Sequence, residues 1–257
     1  MKTPELATKA TRSERIAFAL LVLSAALIAW LMGDGRIDER ISSLYFDAIH
    51  GVFPWHENRW IETVLYRDGK LLVIALDIVA IAALLLAMAS GRLPTRMALA
   101  ASVGMIAIPA TIGLLKLFSS THCPWDLANF GGTLPHIALL EWARADPPGH
   151  CLPAGHPSAG LSLFGLVLPL FAAGRRGLAA AATISALALG LLMGWLRITQ
   201  GAHFLSHVLW SFWIAAAISL ITARLFAIRL GDLADAWNPP TNPRIARRDL
   251  PRDHGLA

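Results

Sequence analysis

Charged residues are scarce in this 257-residue chain: they make up only 15% of it, whereas 56% is hydrophobic and the mean hydropathy is +0.56. Soluble globular chains carry about 25% charged residues. This shortage argues against an ordinary cytosolic enzyme, and the apolar content argues against a disordered protein. The 2 cysteines are too few for a scaffold built on disulfides.

Six apolar segments occupy most of the chain instead. A helix needs roughly 20 apolar residues to cross about 30 Å of hydrocarbon. The segments are rich in Ala and Leu with few Gly or Pro, which favours helices over the alternating strands of a barrel. The sequence therefore predicts an all-α polytopic membrane protein with six transmembrane helices. They cover residues 16–32, 71–90, 97–118, 161–173 (starting near 157), 178–196 and 204–223.

Positive charges are distributed unevenly between the two sides of these segments. With both tails and the loops 91–96 and 174–177 on one side, that side holds 14 Lys and Arg residues and the other holds 8. The positive-inside rule then makes both termini cytoplasmic, so the net charge of +5 reflects membrane topology rather than nucleic-acid binding. A signal peptide at residues 16–32 is the alternative, although the segment is long for one and lacks a clear A-x-A site.

The predicted domain organisation has a cytoplasmic tail at 1–15, a membrane domain at 16–223 and a basic cytoplasmic tail at 224–257. Two long segments of the membrane domain fall on the outer side. Residues 33–70 mix aromatic and charged residues, which predicts an interfacial segment of one or two amphipathic helices. Residues 119–156 hold both cysteines and 4 of the 9 histidines, and a long loop with such side chains indicates an active site.

Three groups of reactive residues lie at the outer ends of the predicted helices. They cover residues 116–124, 153–156 and 197–207. A helical bundle can bring the three groups together at the depth of the lipid headgroups. Lys and Arg at that depth suit a phosphate, and the histidines beside them can supply a nucleophile and a general acid.

These groups resemble the motifs of the type 2 phosphatidic acid phosphatase (PAP2) superfamily, which read K-x6-R-P, P-S-G-H and S-R-x5-H-x3-D. Here the corresponding segments read K-x6-C-P from Lys116, P-A-G-H up to His156 and R-x5-H-x3-H from Arg197. The predicted six-segment topology is also similar to that of the family. Each motif alone is weak, but three in order on one predicted side are a specific match.

The resemblance implies a role for each matching residue. His203 would be the nucleophile that attacks phosphorus, and His156 would be the acid that protonates the departing lipid oxygen. Lys116 and Arg197 would hold the phosphoryl oxygens, and water would then hydrolyse the phosphohistidine. His207 stands where the family has the aspartate that orients the nucleophile. This chemistry needs neither a metal nor another cofactor.

Four departures from the family pattern bear on this reading. At the position of the family's aspartate, the neutral imidazole of His207 can accept a hydrogen bond but does not stabilise a neighbouring imidazolium as a carboxylate does. Asp77 and Asp126 are therefore candidates for the role of orienting His203. Asp77 is also a candidate for a contact between helices. The departures are Arg to Cys123, Ser to Ala154, Ser to Leu196 and Asp to His207.

A metal site is an alternative use of the same residues. His203 and His207 would then bind the ion, with further ligands from His122, Cys123, His150 or Cys151. That alternative leaves the two cations of the motifs unexplained, because positive side chains repel a metal ion.

The two cysteines are also candidates for a disulfide. Cys123 and Cys151 lie in the same predicted outer loop, on the side where disulfides persist. A bridge closing a loop of about 28 residues stabilises a fold by roughly 3–4 kcal/mol. Two free thiols are the alternative.

The expected function is hydrolysis of a phosphate monoester or pyrophosphate on a lipid headgroup, at the outer leaflet of a bacterial inner membrane. The partner is a phosphorylated membrane lipid, such as phosphatidate, phosphatidylglycerol phosphate, an isoprenyl pyrophosphate or a lipid A phosphate; the oligomeric state is left open. Two alternatives stand beside it: a phosphotransferase that passes the phosphoryl group to another lipid, and a non-catalytic lipid-binding membrane protein.

Overall fold

A computed structural model of the chain describes residues 11–56, 58–60, 63, 67–137 and 148–228. Throughout these ranges the regular elements are helices and no β-strand occurs, which confirms the predicted all-α fold. The two predicted tails, 1–15 and 224–257, lie outside the described residues except for 11–15 and 224–228. The helices are α1 (Arg12–Met32), α2 (Arg36–Ser43), α3 (Gly69–Ala89), α4 (Thr95–Leu117), α5 (Pro157–Leu161), α6 (Phe164–Ala172), α7 (Arg176–Thr199) and α8 (Leu205–Leu225).

Five of these helices are long and apolar enough to cross a membrane: α1, α3, α4, α7 and α8. Length and composition therefore make the chain a membrane protein. The fourth predicted segment, 161–173, is instead a shorter, interrupted pair, because α5 and α6 are separated by a turn at residues 162–163. Ser162 in that turn donates its hydroxyl to a carboxylate oxygen of Asp77 in α3, at 2.7 Å.

Helix α4 packs against α3, α6 and α8 and forms the centre of the bundle. Small side chains make this packing close, and Ala98, Ala100 and Ala101 are completely buried. A Cβ atom on Gly104 would lie only 2.9 Å from the Cα atom of Gly165, so α4 and α6 meet backbone to backbone. Helices in lipid associate through such small residues, because the surrounding acyl chains are as apolar as the helices.

Helix α1 lies at the periphery of the bundle against α8. It begins with a capping box, in which Thr11 and Glu14 each accept a hydrogen bond from the other's backbone N–H. Two contacts hold α1 in place: Trp213 donates its indole N–H to the carbonyl of Leu21 at 2.8 Å, and Arg224 pairs with Glu14 at 2.9 Å.

The predicted site residues all lie at one end of the bundle, called here the site end. Helices α4 and α7 end there, and α3, α5 and α8 begin there. Helix α2 and an aromatic cluster cover part of this end. The cluster contains Phe46, Phe53, Phe130 and Phe204.

Candidate active site

The bundle positions each reactive side chain near a helix terminus. Lys116 lies in the last turn of α4, and Arg197 lies in the last turn of α7. His156 immediately precedes α5, His203 lies in the connection between α7 and α8, and His207 lies in the first turn of α8. Helix termini at one depth therefore bring together residues that are up to 91 positions apart in the sequence.

A disulfide joins the first group of residues to the segment that leads into the second. Cys123 and Cys151 are bonded, with a distance of 5.3 Å between their Cα atoms, which is the pairing that the sequence analysis expects. Backbone hydrogen bonds run alongside it: the N–H of His150 donates to Ser119 at 2.9 Å, and that of Cys151 donates to Thr121 at 3.0 Å. The segment that leads to His156 is therefore fixed against the loop that follows α4.

Backbone hydrogen bonds also join the second group to the third. The N–H of Ala154 donates to the carbonyl of His207 at 3.0 Å, and the hydroxyl of Ser211 donates to the carbonyl of Ala154 at 2.8 Å. Ala154 is completely buried beside Ile198 and Val208. The methyl side chain thus fills an apolar contact where the family pattern has a hydroxyl.

Arg197 connects the third group to Trp125, the residue that follows the first group. Its guanidinium lies 5.4 Å from the centre of the Trp125 ring and donates to the amide oxygen of Gln200 at 2.8 Å. The backbone N–H of Trp125 donates in turn to the carbonyl of Gly201 at 2.9 Å. These contacts hold a nearly buried guanidinium in one orientation, which suits recognition of a phosphate by paired donors.

His203 is only 2% exposed. Burial lowers the pKa of its imidazole well below the ordinary value, and the neighbouring His207, Lys116, Arg197 and His156 lower it further. The ring is therefore neutral at physiological pH. A neutral imidazole retains the lone pair that a nucleophile needs.

His156 lies among positive charges. Burial lowers its pKa to about 3, and the cations Arg197, Lys70 and Lys116 add to the effect in that order. Three cations therefore act on one imidazole at the site end.

The family model of the PAP2 superfamily matches residues 97–230, which is half of the chain and contains all three groups. The chain belongs to the PAP2 superfamily. Members of this superfamily are generally phosphatases that act on phosphate esters. No curated protein and no solved structure matched the chain.

Lys70 is the residue that sequence reasoning missed. It lies in the first turn of α3, outside the part of the chain that matches the PAP2 model. Val73 of α3 and Ala159 of α5 belong to one hydrophobic cluster that holds the two helices together. Val73 lies three residues after Lys70 and Ala159 lies three residues after His156, so Lys70 and His156 are at neighbouring ends of these helices. The only signal in the sequence was a lysine at the end of an apolar segment, which is equally typical of a side chain that reaches towards the headgroups.

The two carboxylates considered as substitutes for the aspartate of the PAP2 pattern have other surroundings. Asp77 accepts the hydrogen bond from Ser162 and so joins α3 to the turn between α5 and α6. Asp126 lies in a short 3-10 turn and lines a cavity of about 470 Å³ together with Trp125 and His56. The group in contact with the Nδ1 atom of His203 is the sulfur of Cys151, at 3.3 Å.

The residues considered for a metal site do not form a set of free ligands. Cys123, Cys151 and His203 bring their ligand atoms within 4.8 Å of one another, but both sulfurs are shared in the disulfide and neither is a thiolate. His150 instead contacts the carbonyl of Lys116 at 3.3 Å. This arrangement fits an anion site better than a cation site.

Proposed function

We propose that the protein is a membrane lipid phosphatase that hydrolyses a phosphate monoester or pyrophosphate on a lipid headgroup through a phosphohistidine at His203. One observation supports this most directly: a buried, neutral imidazole lies at the same end of an apolar bundle as Lys116 and Arg197. Nucleophile and cations are the two requirements of phosphoryl transfer without a metal.

In the first step, the Nε2 atom of His203 attacks phosphorus while the bond to the lipid oxygen breaks. His156 gives a proton to that oxygen, so that the lipid leaves as a neutral alcohol, or as a phosphate in the case of a pyrophosphate. In the second step, His156 takes a proton from water, and the resulting hydroxide attacks phosphorus. Inorganic phosphate leaves, and both histidines return to their starting state.

The low pKa of His156 fits this role once phosphate is bound. In the free site, burial and three cations hold its pKa at about 3. A bound phosphoryl dianion offsets the charges of Arg197, Lys70 and Lys116, and a nearby negative charge raises the pKa of an imidazole. The acid form of His156 is therefore favoured when the substrate is present.

Lys116, Arg197 and Lys70 stabilise the charge that spreads over the phosphoryl oxygens in the transition state. Lys70 supplies a third cation in a chain whose first motif has Cys123 in place of arginine. Arg197 binds two oxygens at once, whereas the lysines act as point charges.

We infer that α5 and α6 complete a six-segment bundle with both termini in the cytoplasm and the site end at the outer face of a bacterial inner membrane. The uneven distribution of Lys and Arg supports this orientation. Exposed apolar side chains along α1 and α3 fit a surface in contact with acyl chains. A lipid can therefore present its headgroup while its chains remain in the bilayer.

Phosphate release by the purified protein in detergent tests this function. The substrates are phosphatidate, phosphatidylglycerol phosphate, an isoprenyl pyrophosphate and a lipid A phosphate. We expect release from at least one of them, no release by His203→Ala, and undiminished release with EDTA. His50→Ala is the matched control, because His50 is exposed and pairs with Asp47. A fully active His203→Ala protein refutes the phosphohistidine route.

A hydrolase and a phosphotransferase are distinguished in the same assay. A hydrolase releases phosphate without an added acceptor lipid. If the phosphoryl group is recovered only on an added acceptor lipid, with no free phosphate, the protein is a phosphotransferase instead.

A further inference from the structure

A sulfur atom faces the nucleophilic histidine. The Sγ atom of Cys151 lies 3.3 Å from the Nδ1 atom of His203 and 3.2 Å from the carbonyl oxygen of Ala202. Cys151 is completely buried and His203 nearly so, so water does not compete for this contact.

The residue at the family's orienting position makes no such contact. The His207 ring lies edge-on to that of His203, with 5.7 Å between the ring centres. Its Nδ1 atom is buried, and it has no hydrogen-bond partner among the residues that the structure describes. The position of His207 therefore leaves the Nδ1 atom of His203 to the sulfur.

The bond state of the sulfur decides what it offers to the imidazole. A disulfide sulfur has no hydrogen, so it only accepts a hydrogen bond. The proton of the neutral imidazole is then favoured on Nδ1, and the lone pair lies on Nε2. A thiol is both a weak donor and a weak acceptor, so a free Cys151 would also stabilise the other tautomer, in which Nε2 carries the proton and is not nucleophilic.

We propose that Cys151, held by its bond to Cys123, is a positioning residue that fixes the tautomer and orientation of His203. This proposal rests on the proposed function for its consequence in catalysis. It also links two departures from the family pattern. Cys123 stands in place of a cation but anchors the sulfur of Cys151, and this sulfur takes the role of the carboxylate that His207 replaces. The disulfide is then part of the catalytic apparatus as well as a tether.

The tautomer of His203 is the direct measurement. In protein labelled with ¹⁵N-histidine, the two ring nitrogens have different chemical shifts with and without a proton, and His203→Gln identifies the signals. We expect the Nδ1–H form of the oxidised protein to change to a mixture when a phosphine reductant converts the disulfide into two thiols. In that step the phosphine loses two electrons and becomes its oxide, and water supplies the two protons and the oxygen. An Nε2–H form in the oxidised protein, or no change on reduction, overturns the proposal.

Kinetics separate positioning from tethering. Cys123→Ser/Cys151→Ser and Cys123→Ser/Cys151→Ala both lack the disulfide, but only the first keeps an acceptor beside His203. Loss of the partner that orients a metal-binding histidine costs roughly 10–100-fold in activity, and we take the lower end of that range for His203. We expect the alanine variant to have a kcat lower by about tenfold than the serine variant, with the same KM. Equal kcat values would mean that the disulfide acts only as a tether.

Two controls keep the outcomes distinct. The reductant should not change the activity of Cys123→Ser/Cys151→Ser, because that variant has no disulfide to reduce. Both variants are first compared by melting temperature and gel filtration in detergent. If no lipid phosphate is hydrolysed by the unmodified protein, the proposed function fails, and the tautomer measurement still decides whether the sulfur orients His203.

Discussion

The carboxylate of Asp38 caps helix α8 from a distance of 168 residues in the sequence. Its oxygen accepts a hydrogen bond from the backbone N–H of Ser206 at 2.9 Å. Helix α8 has no cap from its own N-terminal residue, so α2 supplies one. Asp38 is buried, and burial raises the pKa of its carboxyl group, an effect that hydrogen bonds from Ser206 partly oppose. The capped residue, Ser206, lies between His203 and His207 in the sequence, in the first turn of α8.

Asp38→Ala should destabilise the protein and loosen the site. Removing an N-cap costs about 0.5–2 kcal/mol, which corresponds to a decrease of about 1–8 °C in the melting temperature of a domain of this size. Asp38→Asn is the matched control, since asparagine is an equally good cap and should retain most of the stability. Thermal unfolding in detergent measures both, and equal losses would mean that the charge rather than the hydrogen bond is required.

Stability should decrease as the pH falls. Burial lowers the pKa of His203, and it lowers that of His156 to about 3, whereas histidines in an unfolded chain titrate near 6.5. Between about pH 6.5 and pH 3 the unfolded chain therefore binds more protons than the folded protein does. The free energy of unfolding then decreases as the pH decreases. We expect the melting temperature to decrease from pH 7 to pH 4, and to decrease less steeply in His156→Gln. Identical pH dependence in both proteins would contradict the lowered pKa.

Lys70→Ala should reduce phosphate release although Lys70 lies outside the family motifs. Removing one group that stabilises the transition-state charge costs on the order of 10²–10³ in rate, and a lysine acting as a point charge should fall at the lower end. Arg67→Ala is the control, because Arg67 lies one turn earlier and is exposed and paired with Asp68. The ratio kcat/KM measures both variants. Equal activity of Lys70→Ala and the unmodified protein would show that Lys70 does not contribute to the site.

His207→Asp should preserve or raise activity. A carboxylate at this position can accept the hydrogen bond from the Nδ1 atom of His203 and can stabilise the positive charge that the ring gains when its Nε2 atom bonds to phosphorus. The gain should be larger in Cys123→Ser/Cys151→Ala, where the sulfur is absent, than in the otherwise unmodified protein. A loss of activity in both backgrounds, together with sensitivity of the unmodified protein to a chelator, would instead indicate that His207 binds a metal.

Reporter fusions should place the two ends of the bundle on opposite sides of the membrane. A reporter inserted at residues 174–177, between α6 and α7, should be active in the cytoplasm, and one inserted at residues 133–136 should be active outside. The reason is the concentration of Lys and Arg on one side. A cytoplasmic reporter signal from residues 133–136 would reverse the proposed orientation of the site.

The long helices could be predicted because runs of about 20 apolar residues have few stable alternatives in lipid. The predicted segments 71–90 and 97–118 correspond closely to α3 (Gly69–Ala89) and α4 (Thr95–Leu117). The break at residues 162–163 could not be predicted, because Ser162 has a partner in another helix, Asp77.

The candidate site was predictable where it follows a motif and not where it depends on packing. Lys116 and Arg197 were found from their spacing to other motif residues. Lys70 was missed because only the contact of α3 with α5 gives it a place at the site end. The contact between Cys151 and His203 depends on the path of two connections, and local sequence does not determine that path.

The interrupted pair of helices α5 and α6 is also short compared with the thickness of a membrane. The pair covers Pro157–Ala172, and 16 residues extend about 24 Å if each rises 1.5 Å as in a helix, which is about 6 Å less than a typical hydrocarbon core. Every residue of α5 is buried, so neighbouring helices rather than lipid surround this part of the short element. With the orientation proposed above, an element shorter by about 6 Å would place His156, which immediately precedes it, below the level of the headgroups. A substrate headgroup would then have to descend between the helices to reach the imidazole, and side chains rather than acyl chains would make room for it.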